Sequence, residues 1–261
     1  MPARSTGPTR RRVAVPPAGV SLAEVAYQGL LEGIRRGDLR PGDSVREQHV
    51  TDWLKVSRTP VRDAMRRLEA EGYLVHERHR GAVVATLDDQ AVTELYALRE
   101  VLEGAAAVMA VRHASELEIA QLERLIDESS RVRDPKMLIE YQRNINDLIH
   151  RMARNRYLVK TMRMLRETLF LVGTVVTVMP DRPATLLREH RAMLAALKKR
   201  DARKAEQVMR GHVRSALQSR LQLRAGANGG NYPYVPFPSA TERVDAKPQK
   251  RKRKQSTQED A

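Results

Sequence analysis

The chain has 261 residues, 41% of them hydrophobic, which is enough apolar material for the cores of two modest domains. Its formal net charge of +15 implies an acidic partner, either a nucleic acid or an anionic membrane surface. The absence of cysteine excludes disulfides and thiolate metal sites; the first twenty residues lack the apolar run of a secretory signal, and the greasiest stretch, 169–179, is too short to cross a bilayer. A soluble cytoplasmic protein with no membrane partner is expected.

Residues 1–19, with Arg10, Arg11 and Arg12 among Pro and Ala, read as a disordered basic arm. A first folded domain is expected over 20–86. Ser21 and Glu24 have the spacing of a capping box, with Val20 and Val25 as its hydrophobic staple. The first helix carries Leu22, Val25, Ala26, Leu30 and Ile34 on one face and stops at Gly37. After the turn RPGD, Ser44 and Glu47 suggest a second capping box, opening a short helix with Val50, Trp53 and Leu54 on one side. Lys55 and Val56 alone separate it from Ser57, which is suited to cap a third helix.

That third helix places Val56, Val61, Ala64, Met65 and Leu68 on one stripe and leaves Arg58, Thr59, Arg62, Arg66 and Arg67 on the other. Pro60 fits the first turn, and Gly72 can end the helix. The basic face begins where unpaired backbone N–H groups favour phosphate; taken alone, it reads equally as a solvated Arg-rich surface. The next segment of the chain separates the two readings. Residues 73–77 and 82–85 are β-prone, and Arg78, His79, Arg80 and Gly81 form a basic hairpin tip between them. Three helices and a basic-tipped hairpin make a winged helix-turn-helix, a DNA-binding arrangement.

From residue 87 to 225 the pattern is helical. Asp88 caps a helix to about residue 112, Ser115 with Glu118 forms another capping box, and Asp134 with Pro135 starts the next helix. Further helices are expected over 155–179, 183–200 and 202–224, the β-branched run from Val172 to Val178 being read as a core helix. Beyond Gly226 a Gly- and Pro-rich segment leads to the basic cluster 250–254, so 226–261 reads as a disordered basic tail. The fold class is mainly α: an N-terminal winged helix-turn-helix plus a C-terminal all-helical bundle.

The segment LRPGDSVREQHVTDWLKVSRTPVRDAMRRLEAEGYL resembles the DNA-binding domain of the GntR family of bacterial transcription regulators. The helical remainder is similar to the FCD effector domain of the FadR branch. Lys55, where Gly is common, and His49, where an apolar residue is usual, are departures that leave the resemblance intact. It implies a homodimer that binds a pseudo-palindromic double-stranded operator, usually as a repressor, and is released or occasionally engaged by a small metabolite.

On the exposed face Arg58 and Arg62, one turn apart, can reach guanine edges or grip phosphate, and the family pattern assigns both to DNA. Thr59 suits a phosphate or a thymine methyl, and Arg46 the backbone. Gly81 permits close approach of the wing, with His79 and Arg80 beside it, although His79 reads equally as an idle surface side chain.

In the helical half, His150, His190 and His212 each fall on or beside an apolar stripe, and a buried imidazole needs a hydrogen-bond partner or a metal. The resemblance implies that Asn146, His150, His190 and His212 bind a divalent ion such as zinc, nickel or manganese. Asn146 in place of an acid weakens such a site, and Ile149 stands where Phe is common. Arg99 lies on a buried face, either paired internally with Glu103 or holding a small anionic metabolite.

Two other functions compete. A three-His ion in a helical bundle can activate water, as an enzyme would, but no acid stands at a suitable spacing; Glu189, next to His190, is expected to point elsewhere. A general DNA-coating protein relying on its basic tails is the other.

Overall fold

A computed structural model describes residues 20–173, 179 and 181–226; the expected arm (1–19), nearly all of the expected tail and residues 174–178 of the β-branched run lie outside them. The N-terminal unit consists of α1 (Leu22–Arg36), α2 (Glu47–Leu54), α3 (Arg58–Ala70) and the hairpin β1 (Leu74–Glu77) and β2 (Gly81–Val84). The strands run antiparallel, with Leu74 opposite Val84 and Glu77 opposite Gly81. Leu30 and Ile34 of α1, Leu54 of α2, Val61 and Leu68 of α3, and Leu74 and Val84 of the wing are buried in one cluster, as the helical and strand periodicities require.

The cap chemistry explains most helix starts and corrects two expectations. Ser21 accepts from the Glu24 backbone N–H, but the Glu24 carboxylate turns to Gln28 and Arg67 instead of closing the box, and Val20 and Leu22 stay exposed. Ser44 does not cap α2. It is extended, bridges Val83 and donates its hydroxyl to the Arg80 carbonyl at 3.2 Å, because the wing recruits this stretch as a partial third strand. Arg46 takes the cap position without a side-chain bond. Lys55 ends α2 in the left-handed region at φ 56, which is why glycine suits this turn.

The C-terminal unit contains α4 (Asp89–His113), α5 (Glu116–Arg131), α6 (Pro135–Met152), α7 (Arg156–Leu169), α8 (Arg182–Lys198) and α9 (Ala202–Gly226). Asp88, Asp134 and Asn155 each accept from backbone N–H groups of the helix they precede, and Ser115 with Glu118 closes a full capping box. Long α4 and α9 pack along each other. Leu122, Ile126, Ile145, Ile149, Met193, Leu197 and Met209, drawn from α5, α6, α8 and α9, form the main core. The helix expected over 155–179 ends at Leu169: a single 3-10 turn, Phe170–Val172, comes next, and Gly173 leaves it at φ 68 and ψ −168, a conformation that an L side chain resists.

That 3-10 turn joins the two units. Leu171 is buried in the core of the N-terminal unit, and Arg35 of α1 stacks on the Phe170 ring at 5.1 Å. Glu167 of α7 accepts from Arg35 and from the Tyr73 hydroxyl, both at 3.2 Å. Among the described residues no helix is long and apolar enough to cross a membrane.

Gly33 of α1 leaves no room for a side chain: a Cβ there would stand 2.6 Å from the Trp53 ring. Gly33→Leu is expected to destabilise the N-terminal unit by about 1–3 kcal/mol through overpacking. A denaturant midpoint equal to that of the wild type would show that Trp53 is free to swing aside.

Candidate functional site

Arg58, Thr59 and Arg62 all lie exposed at the N-terminal end of α3, next to the start of α2 where Arg46 is exposed. The basic side chains are held in place: Arg58 donates to Gln48 at 2.8 Å, and Arg62 makes two bonds of 2.9 Å to the Glu47 carboxylate. The Arg62 hydrogen bond holds the Glu47 carboxyl below the usual range. Arg66 is exposed on the same helix, whereas Arg67 belongs to the packing of α1 on α3: it lies over the Tyr27 ring at 3.6 Å and pairs with Glu24 and Glu71.

The wing tip carries Arg78, His79 and Arg80, with His79 and Arg80 exposed and left-handed backbone at His79 (φ 69) and Gly81 (φ 73). Arg80 folds back along the hairpin, pairing with Glu77 and donating to the Gly42 carbonyl, both at 2.7 Å. It braces the wing against the turn before α2.

The second site is a cavity of about 90 Å³ inside the helical unit, lined by residues of α4, α6, α7, α8 and α9. On α4, Arg99 donates to one oxygen of Glu103 at 3.0 Å, and the other oxygen is 2.9 Å from Nε2 of His150 on α6. On α8 and α9, Glu189 is 2.8 Å from Nδ1 of His212 and accepts from Arg182 at 3.2 Å, while Arg182 also donates to Ser215. Arg166 of α7 pairs with Asp147. Arg220 of α9 donates to the Tyr96 hydroxyl and to the carbonyls of Val172 and Gly173.

Burial would raise the Glu103 carboxyl, but His150 and Arg99 outweigh it and hold it well below the usual range; Glu103 in turn raises the buried Arg99 against its own burial. Glu189 is likewise lowered against its burial by His212 and Arg182. The positive field is strong enough to lower Tyr96, against its burial, through Arg220 and Arg99.

The structure brings Arg99, Asn146, His150 and His212 to this cavity and pairs Arg99 with Glu103, the internal partner that the sequence offers. His190 lines a neighbouring cavity of about 230 Å³ instead, with its ring 5.8 Å from that of His212; Gln142 borders both spaces. Burial, then His212, push the His190 imidazole down to about 3, so it is neutral. Glu189 does not point away as expected but bonds to His212, because a long carboxylate can reach around the helix to α9. Sequence reasoning misses Arg182 and Arg220. Arg220 continues the stripe Met209, Val213, Ala216, a spacing that marks it as buried; Arg182, before Pro183 at a helix start, carries no comparable signal.

Whether these residues suit a metal ion can be judged from unpaired atoms. Asn146 Oδ1, His150 Nδ1 and His190 Nε2 are buried without hydrogen-bond partners, and the His150 and His212 rings each meet a carboxylate through one nitrogen, as metal-binding histidines do. The donors fit a divalent ion in kind. Among the described residues, however, no three His, Cys, Asp or Glu side chains stand close enough to hold an ion together.

An exposed arginine-bearing helix end beside a wing, joined to a buried basic cavity, defines a DNA-binding regulator with an effector domain. The model of the "Bacterial regulatory proteins, gntR family" matches residues 22–84, and that of the "FCD domain" matches 94–215. The chain belongs to the GntR family, with an FCD effector domain; it is a transcription regulator, not an enzyme. It is 27% identical over 190 residues to the uncharacterized HTH-type transcriptional regulator YdhC of Bacillus subtilis, spanning 71% of this chain and 85% of that one. To the HTH-type transcriptional repressor RspR of Escherichia coli it is 28% identical, over 71% of this chain and 83% of the relative. The solved structure of E. coli McbR/YncC shares the fold, with a TM-score of 0.64 at 21% identity, covering 78% of this chain and 98% of that one.

Glu103→Gln would leave the Arg99 guanidinium buried without its counter-charge. The helical unit should lose about 3–5 kcal/mol, read as a lower midpoint in thermal or denaturant unfolding. A midpoint unchanged from wild type would mean that Arg99 finds another anion in the cavity.

Proposed function

We propose that the chain is a repressor that binds a two-fold-symmetric operator as a homodimer, with operator affinity set by a small hydroxycarboxylate held in the helical cavity. The observation that carries this reading is the chemistry of the lining. Arg99, Arg143, Arg166, Arg182 and Arg220 face one cavity in which Glu103 is the single carboxylate among the lining residues. Nε and Nη2 of Arg182 are buried donors without a partner, Asn146 Oδ1 is a buried acceptor without one, and His150 Nδ1 is unpaired and accepts when the neutral ring gives its Nε2 proton to Glu103. A carboxylate satisfies the former and a hydroxyl the latter, and leaving either set unpaired is costly. A basic site favours an anion over a neutral sugar. Regulation is then a shift of populations: the effector binds one arrangement of the DNA-reading units better than the other, so operator affinity changes.

The unpaired atoms Asn146 Oδ1, His150 Nδ1 and His190 Nε2 support a second occupant, a divalent ion such as zinc, nickel or manganese, toward which Asn146, His150, His190 and His212 would have to converge from the positions they hold without it. Such an ion would give the effector's carboxylate a point of attachment. Glu103 and Glu189 would orient the His150 and His212 rings behind it. Imidazole and amide donors suit this class of ion.

Fragments of the host genome selected by binding to the protein should share an inverted repeat, and Arg62→Ala should weaken binding to them by about 1–3 kcal/mol while relaxing base preference. Equal retention of unrelated fragments would instead support a general DNA-coating role. For the ion, protein dialysed against zinc should retain one equivalent per chain, and His150→Ala combined with His212→Ala should abolish it. No retained metal in the wild type would leave the histidines to the effector and to packing.

A further inference from the structure

We propose that Arg220 is the positioning residue through which the occupant of the helical cavity acts on the DNA-reading unit, by exchanging backbone carbonyls for the occupant's anionic group. The inference rests on the reading that this cavity holds an anion. Arg220 is 2% exposed and lines the cavity, yet two of its nitrogens are committed to the carbonyls of Val172 and Gly173. Those carbonyls lie at the C-terminal end of the 3-10 turn Phe170–Val172, which the Gly173 N–H closes by donating to the Phe170 carbonyl. On its other side the same turn is embedded in the DNA-reading unit: Leu171 is part of that core and Phe170 lies under Arg35 of α1. Glu167, one turn earlier, holds Arg35 and the hydroxyl of Tyr73, the residue just before the wing. One guanidinium thus reaches both the cavity and, across a single tight turn, the α1 and wing ends of the unit that meets DNA.

The exchange has a chemical direction. A guanidinium bonds a carboxylate more strongly than a neutral carbonyl, since charge on both partners shortens and strengthens the bond. An anion entering beside Arg220 therefore competes with Val172 and Gly173 for the same N–H groups. The two partners define two states: the turn fastened to α9, and the turn released while Arg220 holds the anion. Gly173 makes the second state accessible, for its backbone sits in a region natural only to glycine, and the bonds from Arg220 to the carbonyls of Val172 and Gly173 help to hold it there. Coupling of this kind is reciprocal, so operator DNA alters anion affinity by the same factor.

The test uses the full chain with citrate as the probe, calorimetry for binding, and hydrogen exchange for the response of α1. In the wild type, saturating citrate should change amide exchange across α1 and residues 167–173 by about tenfold, within the range of ordinary allosteric coupling. Leu171→Ala, outside the cavity, should bind citrate as the wild type does but lose the α1 response. Arg220→Lys, which keeps a charge but cannot fork between two carbonyls, should lose the response at both places and decides the matter if Leu171→Ala is poorly folded. Citrate that binds the wild type without any change in α1, or a full α1 response in Arg220→Lys, overturns the proposal. If citrate does not bind the wild type at all, the carboxylate reading of the cavity fails. The route is then judged without ligand: Arg220→Lys must speed exchange both at residues 167–173 and in α1, and a change confined to the helical unit overturns it.

Discussion

The buried Glu103 carboxylate, shared between Arg99 on its own helix and His150 on α6, is the interaction on which the helical unit depends. Taking a guanidinium and a carboxylate out of water is costly, and the cost is offset only because each finds its partner at hydrogen-bond distance. Glu189 does the same on the far wall, bridging Arg182 of α8 and His212 of α9. Each carboxylate fastens two helices and also cancels part of the positive charge that faces the cavity. The bundle can therefore keep polar groups at its centre and still fold around them, with apolar residues such as Ile145, Ile149 and Met193 filling the remainder.

The two units of the chain are not joined by a linker alone. Leu171 gives an apolar side chain of the sensor to the core of the DNA-reading unit, and Glu167 adds polar contacts beside it. This arrangement makes the position of α1 and the wing sensitive to the end of α7. A regulator needs that sensitivity, because a cavity whose contents do not move anything cannot change affinity at a distance.

The architecture is largely legible in the sequence, because it rests on local signals. The stripe Val61, Ala64, Met65, Leu68 and the glycine-ended first helix emerge directly from spacing, as do the caps at Asp88, Ser115 and Asp134. Ser44 misleads because its capping pattern competes with strand pairing to Val83, and a contact between residues so far apart in the chain leaves no trace in local spacing. The end of α7 misleads for the opposite reason: Leu169 to Val172 continue a helical pattern, and only the backbone at Gly173 breaks it. Within the cavity, single buried ionisable residues can be picked out, Arg99 and the histidines among them. Their pairing cannot, since which carboxylate meets which imidazole depends on helix packing angles. That is why spacing sends Glu189 away from the site, and why the resemblance groups His190 with residues of a cavity that it does not line.

Arg62 and Arg58, the side chains best placed to meet a duplex, are already engaged when no duplex is present, one by the two oxygens of Glu47 and the other by Gln48. On the proposed reading an encounter with DNA is a change of partners, in which a phosphate displaces the Glu47 carboxylate from Arg62 and the Gln48 amide oxygen from Arg58. A random stretch of duplex offers little beyond that phosphate, whereas a matching one adds base edges. On that reading Glu47 would act as a built-in decoy, discouraging lingering on unrelated sequence and leaving the full reach of Arg62 to a site whose bases complete its bonding.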